Sequence, residues 1–251
     1  MPEFIIPLVF ICVLCLILFR IFTIRWTFGE AGVARKLESL QRKNKEYHPF
    51  NNIILKTPDG TTQIDHILIS PYGVFVIETK SFKGWIFGDA HQKRWTQSLF
   101  GPYRSSIKYQ FQNPIHQNYK HVKAVQDFLG IDSKSIFNLI VFAGYGEFMT
   151  KMPENVVGLY DLIPYIESHA EILFDSEKTN NFSRKLSDYV EHAPYNEESH
   201  MENLVQNMEH PICPKCGKPM ILRTARKGAG AGSEFWGCPN FPSCRVTKNV
   251  L

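Results

Sequence analysis

Four cysteines near the end of the chain have the spacing of a metal site. Cys213 and Cys216 are separated by Pro214 and Lys215; Cys238 and Cys244 follow a loop containing Gly228, Gly230 and Gly232. Two close pairs flanking a loop can each fold into a tight knuckle, aiming four sulfurs at one tetrahedral Zn²⁺. Disulfides are the competing use, and they suit an oxidising compartment rather than the cytoplasm inferred below. So short and polar a stretch has little core, so the zinc is expected to be structural. Its binding should supply most of the folding free energy, on the order of 10 kcal/mol.

A second group of reactive side chains lies in residues 63–80. Ser70-Pro71-Tyr72-Gly73 has turn chemistry, with Pro second and Gly fourth. A hairpin closed there sets Asp65 directly opposite Glu78, and alternation puts Lys80 on the face of Glu78. Ile67, Ile69, Val74 and Val76 share one face while Leu68, Phe75 and Ile77 share the other, so the hairpin is expected to be covered on both sides. Two carboxylates about 5 Å apart at Cβ repel. A divalent cation such as Mg²⁺ offsets that repulsion; solvation, or neutralisation by Lys80 alone, is the plainer alternative. Glu30, three residues before Val33 and seven before Leu37, falls on the apolar stripe of a predicted helix. A charge there is costly unless paired or metal-bound, although an acid also favours a helix N-terminus.

These residues carry two family resemblances. The tail resembles the C-terminal zinc-ribbon repeats of type IA DNA topoisomerases, through Cys213-Pro214-Lys215-Cys216-Gly217-Lys218-Pro219-Met220, Arg223, Phe235-Trp236-Gly237-Cys238 and Phe241-Pro242-Ser243-Cys244. That implies DNA, single-stranded or locally opened, as a ligand. Lys215, Arg223, Arg226, Lys227 and Arg245 would track phosphates while Phe235, Trp236 and Phe241 offer stacking faces. Packing around the zinc is the alternative use of the aromatics. The central region resembles the nuclease-related domain of the PD-(D/E)xK superfamily. The stretches are Gly29-Glu30, residues 64–69, residues 73–80 with Glu78-Thr79-Lys80, Gly84-Trp85-Ile86, Trp95 and residues 113–117. The resemblance implies a restriction-endonuclease-like fold and a metal-dependent deoxyribonuclease. It assigns Glu30, Asp65 and Glu78 as ligands of Mg²⁺ or Mn²⁺, Lys80 as the catalytic lysine and Gln117 as an auxiliary residue. Gln117 has a second reading, lining a helix face with His121 and Ala124.

The elements that must position these groups can be read coarsely. Helical spacing of Val33, Ala34, Leu37 and Leu40 predicts a helix over 29–45. Strands are expected at 52–56, 63–70, 73–80 and 85–88. Asn113-Pro114 opens a helix ending near Gly130, then come a strand at 137–143 and helices around 160–170 and 177–192. A meander followed by a crossover helix and another strand argues for an α/β class, with a mixed sheet flanked by helices. The expected organisation is an anchor at 1–26, a nuclease-related domain at 27–190 with core motifs in 27–145, an acidic linker at 191–210 and the ribbon at 211–251.

Composition excludes wholesale disorder and fibrous repeats: the 251 residues are 44% hydrophobic and 21% charged. The net charge of +4 conceals a division, because residues 211–251 net +6 and the first 210 net −2. Residues 4–19 contain no charge, and Ile21, Phe22, Ile24 and Trp26 extend the run past Arg20. About 20 residues of helix rise about 30 Å, enough to span a bilayer. Arg20, Arg25, Arg35 and Lys36 follow it, which predicts a single-pass plasma-membrane protein with its N-terminus outside and its domains cytoplasmic. Two further functions stay open: an inactive, membrane-tethered DNA-binding scaffold, and an adaptor whose ribbon binds protein.

Overall fold

The computed structural model describes residues 29–100, 105–192, 199–202, 211–225 and 231–250. The expected anchor, Arg226 and Lys227 lie outside them. No helix among the described residues is long and apolar enough to cross a membrane.

The chain is a mixed α/β structure with a cysteine-rich tail. Helix α1 covers residues 29–43. Then come β1 (His48–Thr57), β2 (Gly60–Ser70), β3 (Gly73–Lys80), β4 (Gly84–Phe87), β5 (Arg94–Phe100), β6 (Ser106–Gln112), α2 (Pro114–Leu129), β7 (Ile136–Phe142), β8 (Gly146–Phe148) and β9 (Val156–Gly158). Helices α3 (Leu162–Glu167) and α4 (Ser176–Glu191) follow, then the ribbon strands β10 (Ile221–Thr224), β11 (Glu234–Gly237) and β12 (Thr247–Asn249).

The central sheet runs β1-β2-β3-β7-β9. Strands β1, β2 and β3 form an antiparallel meander, and β7 and β9 continue parallel to β3. The turn into β3 needs Gly73: its φ is 130°, and the Phe137 ring lies where a side chain would go. On one face Ile67, Ile69, Val74 and Val76 pack with Val122, Val125 and Leu129 of α2 and Phe182 and Leu186 of α4. On the other, Leu68, Phe75 and Ile77 pack with Val33, Leu37 and Leu40 of α1 and Leu162 and Ile166 of α3. At about 1.5–3 kcal/mol for each buried aliphatic side chain, both layers hold the hairpin's register. The predicted pairing is present, with Ile67 opposite Val76 and Leu68 opposite Phe75.

A second sheet, ordered β6-β5-β4-β8, has no counterpart in the expected elements beyond β4. It buries Ile86 and Trp95 against Phe142, while nearly all of β6 is exposed. The ribbon's Lys248 reaches Asp59 in the β1–β2 turn at 3.6 Å.

Candidate active site and zinc module

Both ladders that hold β2 let go at Asp65. The β1–β2 register passes from Asn51↔His66 to Ile53↔Ile64, and Asn52 between them is left-handed at φ 54°. The β2–β3 ladder ends at His66↔Ile77, one pair before Glu78. Asp65 instead uses its side chain, with Oδ2 accepting from the Thr79 N–H at 2.7 Å. The ladder thus stops one pair short of the Asp65–Glu78 opposition expected from the sequence, and the Asp65 carboxylate meets the Thr79 N–H of β3 instead.

Helix α2 supplies the other wall. Asn113 caps it, accepting from the Ile115 N–H at 2.9 Å, while its amide donates to the carbonyls of Asp89, Ala90 and Gln92. Gly130, at φ 70°, ends the helix. Asn118 is fully buried and donates to the Val76 carbonyl and to Asn138 Oδ1, both at 2.8 Å. Asn138 Nδ2 returns a bond to the Ile115 carbonyl at 3.0 Å. This clasp fixes the helix over β3, so that Gln117 and His121, one turn apart, come down on Glu78.

The result is a buried polar network. Lys80 Nζ donates to Glu78 Oε1 at 2.6 Å and to Gln117 Oε1 at 3.0 Å, and Gln117 Nε2 donates to Glu78 Oε1 at 2.8 Å. His121 Nε2 lies 3.4 Å from Glu78 Oε2, and its Nδ1 is 2.8 Å from Thr62 Oγ1. Next along β2, Thr61 Oγ1 is 2.6 Å from His200 Nδ1. Gln117 is thus at the site, whereas Thr62 and His121 were missing from the predicted set. His121 had a signal in its four-residue spacing from Gln117; Thr62 had none.

Electrostatics divides the two carboxylates. Burial pushes Asp65 up, the charges of Glu78 and Glu30 add to it, and the Thr79 N–H and Lys80 do not compensate, leaving Asp65 at about 8. Burial also raises Glu78, but the His121 and Lys80 interactions outweigh it and its pKa is lowered. Glu30, half-buried in the first turn of α1, is close enough to act on Asp65. The packing of Gly29 onto Ser81, where a Cβ would overlap the hydroxyl, brings that turn to the end of β3. The two carboxylates thus resist joint ionisation, with a third close by. Neighbouring His66 points away: it is 2% exposed, its Nδ1 is 2.7 Å from Asn51 Oδ1, and burial lowers it to about 4.

In the tail, Cys213, Cys216, Cys238 and Cys244 bring their sulfurs within 4.8 Å of one another. Separations of 3.6 Å (Cys213–Cys244) and 3.4 Å (Cys216–Cys238) are far beyond a disulfide and near the sulfur–sulfur edge of about 3.8 Å implied by Zn–S bonds of about 2.3 Å. In the first knuckle Gly217, at φ 68°, donates to the Cys213 carbonyl at 2.9 Å. Burial raises Cys213, but N–H groups of Lys215 and Cys216 outweigh it and leave about 7; burial and the neighbouring thiols push Cys238 up to about 12. Four sulfurs so placed ionise together only around a cation, and the donor set fits Zn²⁺.

The expected DNA-contacting residues divide between two roles. Trp236 packs against the cysteines. Phe235 lies across from Arg223 on the opposite face of β11, and the two line a shallow groove with Leu222 and Thr224. Phe241 is 60% exposed, and Lys215 and Arg245 are exposed.

Both halves of this geometry have counterparts in known families. Residues 25–143 match the nuclease-related domain. Residues 211–251 match the topoisomerase DNA binding C4 zinc finger. The matched residues contain α1, the whole meander, the second sheet's β4–β6, α2 and β7, and every clustered polar side chain named above except His200 lies within them. An uncharacterized protein of Bacillus anthracis is 48% identical over 99 residues, which cover 39% of this chain and 43% of that protein. DNA topoisomerase 1 of Methanocaldococcus jannaschii is 36% identical over 55 residues, covering 22% of this chain and 7% of the topoisomerase. The chain spans less than half the length of either relative. No solved structure matches it.

Proposed function

We propose that this protein is a membrane-anchored nuclease that hydrolyses DNA phosphodiesters with a divalent metal, on a restriction-endonuclease-like core. The observation that carries the reading is the convergence of Asp65, Glu78, Lys80 and Gln117 where β2 and β3 part, inside a nuclease-related domain. Glu30, Asp65 and Glu78 would hold Mg²⁺ or Mn²⁺, which when bound supplies positive charge at the scissile phosphate and lowers the pKa of water. Lys80 would aim its ammonium at the developing negative charge of the transition state. Gln117 and His121 hold Glu78 and Lys80 in place for that role.

The ribbon's relatives support DNA as its ligand, held by Lys215, Arg223 and Arg245 with Phe235 and Phe241 as stacking faces; Arg226 and Lys227 belong to the same proposal. The uncharged run at 4–19 followed by Arg20 and Arg25 supports a plasma-membrane anchor with the domains on the cytoplasmic side. An acidic linker at 191–210 would join the two domains.

The full chain, solubilised in detergent and given Mg²⁺ or Mn²⁺, is expected to cut at least one of single-stranded, nicked or branched DNA. Asp65→Ala and Lys80→Ala should each lower the rate by about 10³ or more. Cleavage that persists in both variants sinks the reading.

A further inference from the structure

The second sheet carries charge and ring faces that the site above does not use. From Lys83 to Gln112 the chain has five basic side chains and a single acid, Asp89. That is a local excess of +4, as large as the net charge of the whole protein.

Strand register sorts the sheet's side chains. Ile86, Trp95 and Phe111 form its core-facing side. The pairs Arg94↔Gln112, Ser98↔Lys108, Phe100↔Ser106 and Trp85↔Ser98 therefore put Trp85, Arg94, Phe100 and Lys108 together on the opposite side. Arg94 and Lys108 are exposed, Phe100 is 70% exposed, and the Trp85 ring meets Phe100 edge-on at 4.6 Å. Phe87, Thr96, Ser98, Ser106, Gln110 and Gln112 share this face, and Glu147, beside Trp85 on β8, closes one edge with a negative charge. Adjoining rings set among cations and amides suit a polyanion with flat bases: bases stack on the rings while phosphates meet Arg94 and Lys108.

The connections tether both ends of this sheet's strands to the site. Strand β4 starts four residues after Lys80, a reach of at most about 14 Å. Strand β6 ends at Gln112, and the next residue, Asn113, caps the helix that carries Gln117.

We propose that the outer face of the second sheet is a binding platform for a single DNA strand, delivering it to the Lys80 end of β3. The delivery rests on the nuclease reading; the binding does not.

The test uses the full-length protein in detergent with Ca²⁺ replacing Mg²⁺ and a fluorescein-labelled strand of about 20 nucleotides, read by anisotropy. A Cys213→Ser/Cys238→Ser background removes the ribbon's contribution. In it, Arg94→Glu/Lys108→Glu is expected to weaken binding about 30-fold and to reduce the slope of log affinity against log salt by about 1.4, two phosphates' worth. Phe100→Ala should cost about tenfold with the salt slope unchanged, and Lys43→Glu/Lys45→Glu on the far end of α1 should cost nothing. Unchanged affinity in the sheet variants overturns the platform.

An intact-ribbon experiment covers the case in which the cysteine background does not fold. Replacing Phe100 with p-benzoylphenylalanine should give a photo-crosslink to the strand, and the same replacement at Tyr160, 87% exposed beside α1, should not. No adduct at position 100 overturns the proposal. A chain that binds through this face yet cuts nothing in Mg²⁺ counts against the nuclease reading alone.

Discussion

Asp65 is the side chain whose protonation most depends on what occupies the site. In the fold it titrates at about 8 against an ordinary 3.8, so between those values the unfolded chain holds fewer protons than the folded one. The sign follows: with no cation bound, Asp65's contribution to stability declines as pH rises from about 4 to about 8. Glu78 works in the opposite sense, since its lowered pKa favours the fold above the usual carboxylate range. A cation that takes ionised Asp65 displaces its proton across that window. Its affinity should climb about tenfold per pH unit up to about 8 and flatten beyond. Mn²⁺ calorimetry in buffers of different ionisation enthalpy reads that proton. The Thr79 amide, hydrogen-bonded to Asp65 Oδ2, reports the same event by NMR. An affinity flat across the window, or an equal slope in Asp65→Asn, would remove Asp65 from the ion.

At the scale of elements, positioning is the task of α2 more than of the hairpin. Asn113 has no exposed surface and satisfies one N–H and three carbonyls. Asn113→Ala should cost about 3 kcal/mol in urea unfolding, through loss of the cap and unpaired buried carbonyls. Cleavage should fall as well, because Gln117 follows the same turn; a loss under about 1 kcal/mol would mean the cap is replaced by solvent. The hairpin was legible in advance because turn residues and two apolar faces specify one register. Helix α2 was legible from Asn113-Pro114 at its start, and the ribbon from four cysteines. The second sheet was not. Ser-Ile-Lys-Tyr-Gln-Phe-Gln in β6 lies largely in solvent and Arg-Trp-Thr-Gln-Ser-Leu-Phe in β5 is only partly covered, so burial imposes little pattern on their outer positions. The parting of both ladders at Asp65 was equally hidden, since it depends on Asn52 from another strand.

For the whole molecule, the zinc of the tail and the cation proposed for the carboxylates have different consequences. Removing zinc should unfold the ribbon, whose packed core is Cys213, Cys238, Cys244 and Met220 with Trp236 and Val246 against them, while the nuclease-related domain keeps its own cores. Chelation followed by calorimetry should therefore abolish DNA binding by the ribbon and leave one large unfolding transition nearly unmoved. A single transition that collapses with the zinc would show the two parts folding as one. Charge is similarly divided: the −2 of the first 210 residues contains a positive stretch of net +4 from Lys83 to Gln112, so the acidic remainder lies elsewhere. That stretch leaves the central sheet after Lys80 and returns at Asn113, both fixed points, and Ile86, Trp95 and Phe111 are its main apolar ties to the interior. Strands β4 to β6 are in effect an exchangeable cassette. A hairpin grafted between the same two junctions, keeping those three anchors, would alter what the protein grips without disturbing how its carboxylates face each other.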